Sequence, residues 1–89
     1  MWSIKYLDID SSGYVYWTAT NDDDFDSGTA NCKTNRYGEG VFVELPNGNW
    51  KQATGTSQFS VAGKSKAATY AAIRRWHENN GWGYARRLM

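Results

Sequence analysis

The stretch SKAATYAAIRRWHENNGWGYARR, which runs from Ser65 to Arg87, contains the longest helical pattern of the chain and its one histidine. Ser65 is a suitable N-cap, and Gly81 can take the left-handed conformation that commonly ends a helix. We therefore predict a helix that begins after Ser65 and ends at Asn79 or Asn80. At about 100° of rotation per residue, one stripe of this helix forms the predicted buried face: Ala68, Thr69, Ala72, Ile73 and Trp76.

The residues before the helix alternate between apolar and polar side chains, which is typical of strands. WSIKYLDI (2–9) and YVYWTAT (14–20) predict one hairpin, and GVFVEL (40–45) and NWKQAT (49–54) predict a second. In the second hairpin, residues 41, 43 and 45 share one face of their strand and are apolar, which marks that face as the buried one.

Turn-forming residues join the strands of each hairpin, in DSSG (10–13) and in PNG (46–48). In the second turn Gly48 supplies the left-handed residue of a type I turn with a bulge. Between the hairpins we predict a short strand over residues 30–34, with Ala30 and Cys32 turned inward. Two further segments are candidate strands: SQFSVA (57–62) and WGYARRLM (82–89).

These elements predict an α+β fold in a single small domain of residues 1–89. The expected architecture is a mostly antiparallel sheet of four to six short strands, with one C-terminal amphipathic helix packed on one face. With 40% hydrophobic and 16% aromatic residues, the chain has too much core material to be disordered. The many aromatic rings are expected either to pack in the core or to form a contact surface.

The sequence favours a cytoplasmic location. No run approaches the roughly 20 apolar residues that cross a bilayer, and MWSIKYLDID (1–10) has acids where a signal peptide has an apolar stretch. Cys32 has no second cysteine with which to form an internal disulfide, which is typical of a reducing compartment. We therefore expect no membrane contact.

The charges are unevenly divided along the chain. Residues 1–49 hold three bases against eight acids, and residues 50–89 hold seven bases against one acid. Such a separation affects the choice of partner and the rate of association more than it affects the fold. It therefore predicts two oppositely charged surfaces.

The outer face of the predicted helix is the first candidate contact surface. On the helical wheel Lys66, Tyr70, Arg74 and His77 fall within roughly 80° of one another. Cations interleaved with an aromatic ring suit a surface that follows phosphates and stacks on bases. The alternative is an ordinary solvated helix face. Further bases extend this candidate surface at both ends: Lys64, Arg86 and Arg87.

The segment GKSKAATYAAIRRW (63–76) resembles the closing helix of a double-stranded RNA-binding domain, in which a lysine-rich helix start precedes an alanine-rich stretch. The resemblance is confined to this segment and implies that Lys64 and Lys66 contact phosphates. The family opens with a helix, whereas this chain opens with strands, so the resemblance concerns the last helix alone.

The segment NDDDFDSG (21–28) is the second candidate contact surface, and we call residues 22–26 the acidic loop. An apolar ring among acids is typical of an anchor with a charged rim, and the carboxylates would imitate phosphates toward a partner rich in Arg and Lys. The alternative is a solvated loop without a partner. The residues concerned are Asp22, Asp23, Asp24, Phe25 and Asp26.

The sequence contains little that suggests catalysis or a cofactor. DIDSSG (8–13) matches the first half of a calcium loop, but the twelfth position is Ala19 instead of a bidentate Glu. A hairpin turn explains this segment better. Nothing local marks Cys32 as an activated nucleophile or His77 as its base. We expect a non-enzymatic protein with no cofactor and no metal.

In size and composition the whole chain is similar to the small phage-encoded anti-defence proteins, of which the anti-CRISPR inhibitors are the best known. The resemblance rests on general character and not on a motif. It implies an inhibitor that blocks a bacterial defence nuclease complex by steric and electrostatic means, in the host-cell cytosol. The expected partner is then a protein or ribonucleoprotein complex.

Two other functions fit the sequence. In the first, the basic face of the C-terminal helix binds nucleic acid directly, which predicts affinity that falls steeply with salt. In the second, the chain is a virion or assembly component that self-associates through exposed aromatic residues. The sequence leaves the oligomeric state open.

Overall fold

The computed structural model describes residues 1–24, 27–35, 37, 39–54, 64–83 and 85. Within these residues, five strands form one sheet in which each strand pairs antiparallel with its neighbour in sequence. One helix follows, so the predicted α+β fold is confirmed. The elements are β1 (Trp2–Ile9), β2 (Val15–Asn21), β3 (Gly28–Thr34), β4 (Val41–Glu44), β5 (Trp50–Thr54) and α1 (Lys66–Asn80).

Both predicted hairpin turns are present. In the first, one oxygen of Asp10 accepts hydrogen bonds from the backbone N–H groups of Ser12 and Tyr14 and from the Ser12 hydroxyl. These bonds hold the pKa of the exposed Asp10 carboxyl below its usual value. The Asp10 side chain therefore stabilises the turn that joins β1 to β2.

In the second hairpin turn, Gly48 has φ of 88°, and its N–H donates to the carbonyl of Leu45.

The inner face of the sheet carries the predicted alternation. In β3, Ala30 and Cys32 are buried as expected, and in β4 so are Val41 and Val43. Thr34 lies on the same face, and its hydroxyl donates to the carbonyl of Gly40 at 2.5 Å. The third strand begins two residues earlier than predicted.

The helix begins and ends at the predicted caps. The Ser65 hydroxyl accepts from the N–H of Ala68, and the N–H of Gly81, whose φ is 61°, donates to the carbonyl of His77. The predicted buried stripe needs two corrections, because Ala68 is exposed and His77 is buried. The other predicted members are buried as expected, except for Ala72, which is half-buried: Thr69, Ile73 and Trp76.

His77 is the centre of the core at the end of the helix. Its side chain is 0% exposed and stacks on Trp2, with ring centroids 4.6 Å apart. Three more rings meet it edge-on, those of Trp17, Trp76 and Trp82. The indole of Trp17 donates to Nε2 at 3.0 Å, so Nδ1 carries the proton and donates to the carbonyl of Gly81 at 3.0 Å.

The described residues beyond the helix, 81–83 and 85, fold back onto the core. Trp82 and Ala85 are buried, and the described residues from 82 to 85 adopt turn and 3₁₀ conformations. The strand predicted over residues 82–89 is therefore wrong for the described residues 82, 83 and 85. Gly81 and Gly83, both with positive φ, turn the chain there. The other candidate strand, residues 57–62, lies outside the described residues.

The hydrogen bond from Trp17 to His77 gives a stability prediction. Trp17→Phe keeps an aromatic ring but leaves the buried Nε2 of His77 without its donor. We expect a loss of about 2 kcal/mol in the free energy of unfolding, measured by urea denaturation. Trp50→Phe is the matched control, because Trp50 is only half-buried. Equal losses in the two variants would contradict the role given to this hydrogen bond.

Among the described residues, the helix lies on one face of the sheet and packs against β1. The opposite face carries half-buried and exposed side chains of all five strands. We call it the open face. The described residues include no helix that is both long and apolar enough to span a membrane.

Candidate binding surface

The open face is organised in rows that cross the strands. The register places Tyr16, Lys33, Phe42 and Gln52 in one row. Alternate side chains of a strand share a face, so the residues two positions away on these strands also lie on the open face. Together with Lys5 of β1 they form a second row: Lys5, Thr18, Asn31, Glu44 and Trp50.

The middle of the second row is a chain of hydrogen bonds. The Thr18 hydroxyl donates to Oδ1 of Asn31 at 2.9 Å, and Nδ2 of Asn31 donates to Oε1 of Glu44 at 3.1 Å. The bonds span three strands and hold an amide and a carboxylate in defined orientations. Such groups are suited to recognise the polar edge of a ligand.

Aromatic rings surround this polar row. Tyr6, Tyr16 and Trp50 line a shallow depression of about 250 Å³ whose other lining side chains include Thr18, Asn31 and Glu44. The Lys33 ammonium lies 4.4 Å from the centre of the Trp50 ring, which is a cation–π contact. The depression therefore combines flat apolar walls with a polar floor, and the cation of Lys33 lies beside it, over the Trp50 ring.

Tyr6 has an unusual backbone conformation. Its φ is 55°, and it is the only described non-glycine residue with a positive φ. The pairing of β1 with β2 shifts register between Lys5 and Asp8, which is the bulge that contains Tyr6. A left-handed conformation costs an aromatic residue about 1–2 kcal/mol, yet its side chain is 78% exposed. The strain directs a ring toward the depression and not into the core.

A second depression extends the first. Asn31 and Glu44 also line a hollow of about 530 Å³. This hollow borders the first residues of β3, including Gly28, and the β4–β5 turn, including Pro46. The two depressions share the Asn31–Glu44 pair, so together they form one elongated surface across the sheet.

The charges of the open face are nearly balanced. The register places Lys5 and Lys33 there, together with Asp8 and Glu44. The open face is therefore amphipathic and only locally cationic, around Lys33.

The acidic loop is partly described. Asp22, Asp23 and Asp24 are exposed, whereas Phe25 and Asp26 lie outside the described residues. The N-terminal amino group of Met1 binds Asp22, and this hydrogen bond and positive charge lower the pKa of its carboxyl. One of the predicted carboxylates is thus already paired with a cation of the same chain.

The predicted helix surface is smaller than the helical wheel indicates. Lys64, Lys66 and Arg74 are exposed, and Arg74 pairs with Glu78 at 3.5 Å. Tyr70 is half-buried, and its hydroxyl accepts from the N–H of Leu7 at 3.4 Å. His77 cannot contact a partner, because Trp2 and Trp82 cover it. Arg75 is a further exposed base, while Arg86 and Arg87 lie outside the described residues.

The charged surfaces adjoin one groove. A hollow of about 400 Å³ lies between α1 and the start of β1, lined by residues that include Met1, Ile4, Ala71 and Arg74. Since Met1 binds Asp22, the start of the acidic loop lies near this groove. The start of the acidic loop and Arg74 of the helix therefore lie near each other at this edge.

The two residues considered for nucleophilic chemistry are both buried. Burial raises the pKa of the Cys32 thiol well above its usual value, which disfavours the reactive thiolate. Burial lowers the pKa of His77 to about 4. No group of three or more possible metal ligands occurs among the residues that the structure describes.

Sequence reasoning missed the open face as a site. The alternation of β2 implied that Tyr16 points away from Val15 and Trp17, but alternation does not reveal which face the helix covers. The bulge at Tyr6 has no local signal such as Gly or Asn. Comparison with protein-family models, curated proteins and solved structures found no significant match to this chain.

Proposed function

We propose that the protein is a non-enzymatic binding protein that covers a surface of a larger macromolecular partner. The observation that carries this proposal is the open face with its exposed and half-exposed rings. A small domain normally buries such rings, because each removes a large apolar area from water. Rings held at the surface beside polar groups are typical of contact surfaces.

The strain at Tyr6 supports a contact role for the open face. A conformation that costs free energy without filling the core is retained where the surface has another use. Tyr6 and Tyr16 line the same depression, so a partner that enters it meets both rings. The Asn31–Glu44 pair adds orientation-dependent hydrogen bonds.

The biological role that we propose is inhibition of a bacterial defence nuclease complex of the CRISPR type, by steric and electrostatic blockade. An ordinary protein interface covers about 800 Å² on each partner, and the open face extends over all five described strands of the sheet. The exposed acids Asp23 and Asp24 would steer the sheet toward the Arg and Lys residues with which such a complex holds its guide or target.

The test is cleavage of a target DNA duplex by purified guide-loaded CRISPR nuclease complexes, with and without the protein. We expect at least one complex to be inhibited, and we expect the double variant Tyr6→Ala, Tyr16→Ala to restore cleavage. Tyr37→Ala is the matched control, because Tyr37 is 52% exposed but does not line the depression. Full cleavage by every complex with an excess of the wild-type protein would contradict this role.

The charged surfaces are tested in the same assay. Replacement of Asp22, Asp23 and Asp24 by Asn removes the negative charges of the described part of the acidic loop. Replacement of Lys64, Lys66 and Arg74 by Gln removes three of the four described exposed cations at the helix and leaves Arg75. If the open face is the contact surface, both triple variants still inhibit the nuclease. The substitutions then change only the rate of association and its dependence on salt.

The second candidate function is nucleic-acid binding through the basic helix face. Four exposed cations support it: Lys64, Lys66, Arg74 and Arg75. The burial of His77 and the pairing of Arg74 with Glu78 make this surface weaker than the sequence indicates. Contact of all four with duplex phosphates predicts a salt slope of roughly −3.6, about 0.9 for each contact.

A further inference from the structure

We infer that the open face binds single-stranded nucleic acid, with bases stacked on Tyr6 and Tyr16 and a phosphate held by Lys33. This inference rests on the proposed function, because it takes the open face as the contact surface and names the class of its partner. It uses a different surface from the basic helix.

The rings have the placement that stacking requires. Tyr6 is 78% exposed, and Tyr6, Tyr16 and Trp50 border one depression. Bases of any sequence stack on exposed aromatic side chains because every base has a flat π surface. Antiparallel sheets that bind single strands use rings on one face in this manner.

The polar groups of the depression match the rest of a nucleotide. The Asn31 amide offers both a donor and an acceptor, and the half-exposed Glu44 carboxylate accepts from exocyclic amino groups. The Lys33 ammonium lies over the ring of Trp50, which lines the depression, so a phosphate of a strand bound there would come within reach of it. A duplex cannot present its base faces, so the geometry selects single strands.

The chemistry of the open face favours a nucleic acid over a protein here. A dry protein interface would bury Lys33 and Glu44 together with the rings, and burial of charges in such a contact is costly. A single strand gives each charge a polar partner, a phosphate for Lys33 and an exocyclic amino group for Glu44, while its bases cover the rings. The elongated pair of depressions also suits a chain of several nucleotides better than one compact side chain.

The experiment measures binding of fluorescein-labelled 12-nucleotide single strands of mixed sequence, as DNA and as RNA, with the matched duplexes. We expect both single strands to bind and the duplexes to bind at least tenfold more weakly. Tyr6→Ala and Tyr16→Ala should each weaken binding about tenfold or more. Tyr37→Ala, the matched control, should change the affinity less than twofold.

Two further readouts separate the open face from the helix. Phosphate contacts to Lys33 and Lys5 alone predict an affinity loss of only about sevenfold between roughly 50 and 200 mM salt, whereas four helix cations predict about fiftyfold. Bound strands should also quench the fluorescence of Trp50, since the other four tryptophans are buried. Trp50→Phe should remove this quenching.

The outcomes distinguish this inference from the proposed function. No binding of any single strand, together with loss of nuclease inhibition in the Tyr6 and Tyr16 variants, overturns the inference and leaves a protein as partner. The inference is also overturned if replacement of Lys64, Lys66 and Arg74 weakens single-strand binding and replacement of the two tyrosines does not. If neither assay responds to the two tyrosines, both proposals are wrong.

Discussion

Lowering the pH from 7 to 4.5 is expected to reduce the free energy of unfolding by about 2.5 kcal/mol through His77 alone. In the folded protein its pKa lies at about 4, because burial among tryptophans opposes the charged ring. In the unfolded chain the pKa is the ordinary value of about 6.5. The unfolded state therefore takes up the proton first, and stability falls as the pH drops below 6.5, until the folded state also titrates near 4.

The hydrogen-bond pattern explains why protonation is resisted. Nε2 accepts from Trp17, so a second proton on the ring would meet a donor instead of an acceptor. The exposed carboxyls with altered pKa values, Asp10 and Asp22, are shifted downward. Their titration falls below this pH window, and the change between pH 7 and 4.5 reports mainly on the histidine.

Urea unfolding at several pH values and an NMR titration test this prediction together. The chain has one histidine, so its ring signals need no assignment by mutation. We expect a midpoint near 4 and a pH dependence that disappears in His77→Gln. A midpoint near 6.5 in the folded protein would contradict a buried, neutral imidazole, even if the variant fails to fold.

Gly83→Ala is expected to destabilise the protein by about 3–4 kcal/mol. A Cβ atom at this position would lie 2.5 Å from the carbonyl oxygen of Ala53 and 3.0 Å from its Cβ. The φ of Gly83 is 60°, so the added side chain is also strained by its own backbone. The contact holds the segment around Gly83 against β5, and neither atom of Ala53 belongs to a flexible side chain that can move away.

Gly48→Ala separates the two causes. Gly48 has φ of 88°, but a Cβ there meets nothing within 4 Å. We expect it to lose only the conformational part, about 1 kcal/mol. Thermal or urea unfolding of both variants measures the difference. Equal losses would mean that the chain end does not pack closely on Ala53.

The sequence predicted the strands and the helix because their signals are local. Period-two alternation marked β1 and β2, Gly48 marked a turn, and Ser65 and Gly81 marked the helix ends. The surroundings of His77 were not predictable in the same way. They need Trp2 from the first strand and Trp82 from the chain end, and only the tertiary fold brings these residues to the helix.

For the candidate surfaces too, local features were predictable from the sequence and contacts between distant residues were not. The exposure of Lys66 and Asp23 followed from their local sequence, but the pairing of Met1 with Asp22 joins residues that are distant in the chain. The open face depends on which side of the sheet the helix takes. Neither alternation nor composition determines that side, and the strained conformation of Tyr6 results from a bulge between two strands.

Tyr6→Asn tests most directly whether the strained ring of Tyr6 serves binding and not folding. Asn tolerates the left-handed conformation better than Tyr and lacks the stacking ring. We would measure its free energy of unfolding and its affinity for the 12-nucleotide single strand side by side. Stability that is unchanged or up to about 1 kcal/mol higher, with affinity at least tenfold weaker, is the predicted result. A clear loss of stability with unchanged affinity would show that the ring of Tyr6 serves folding and not binding.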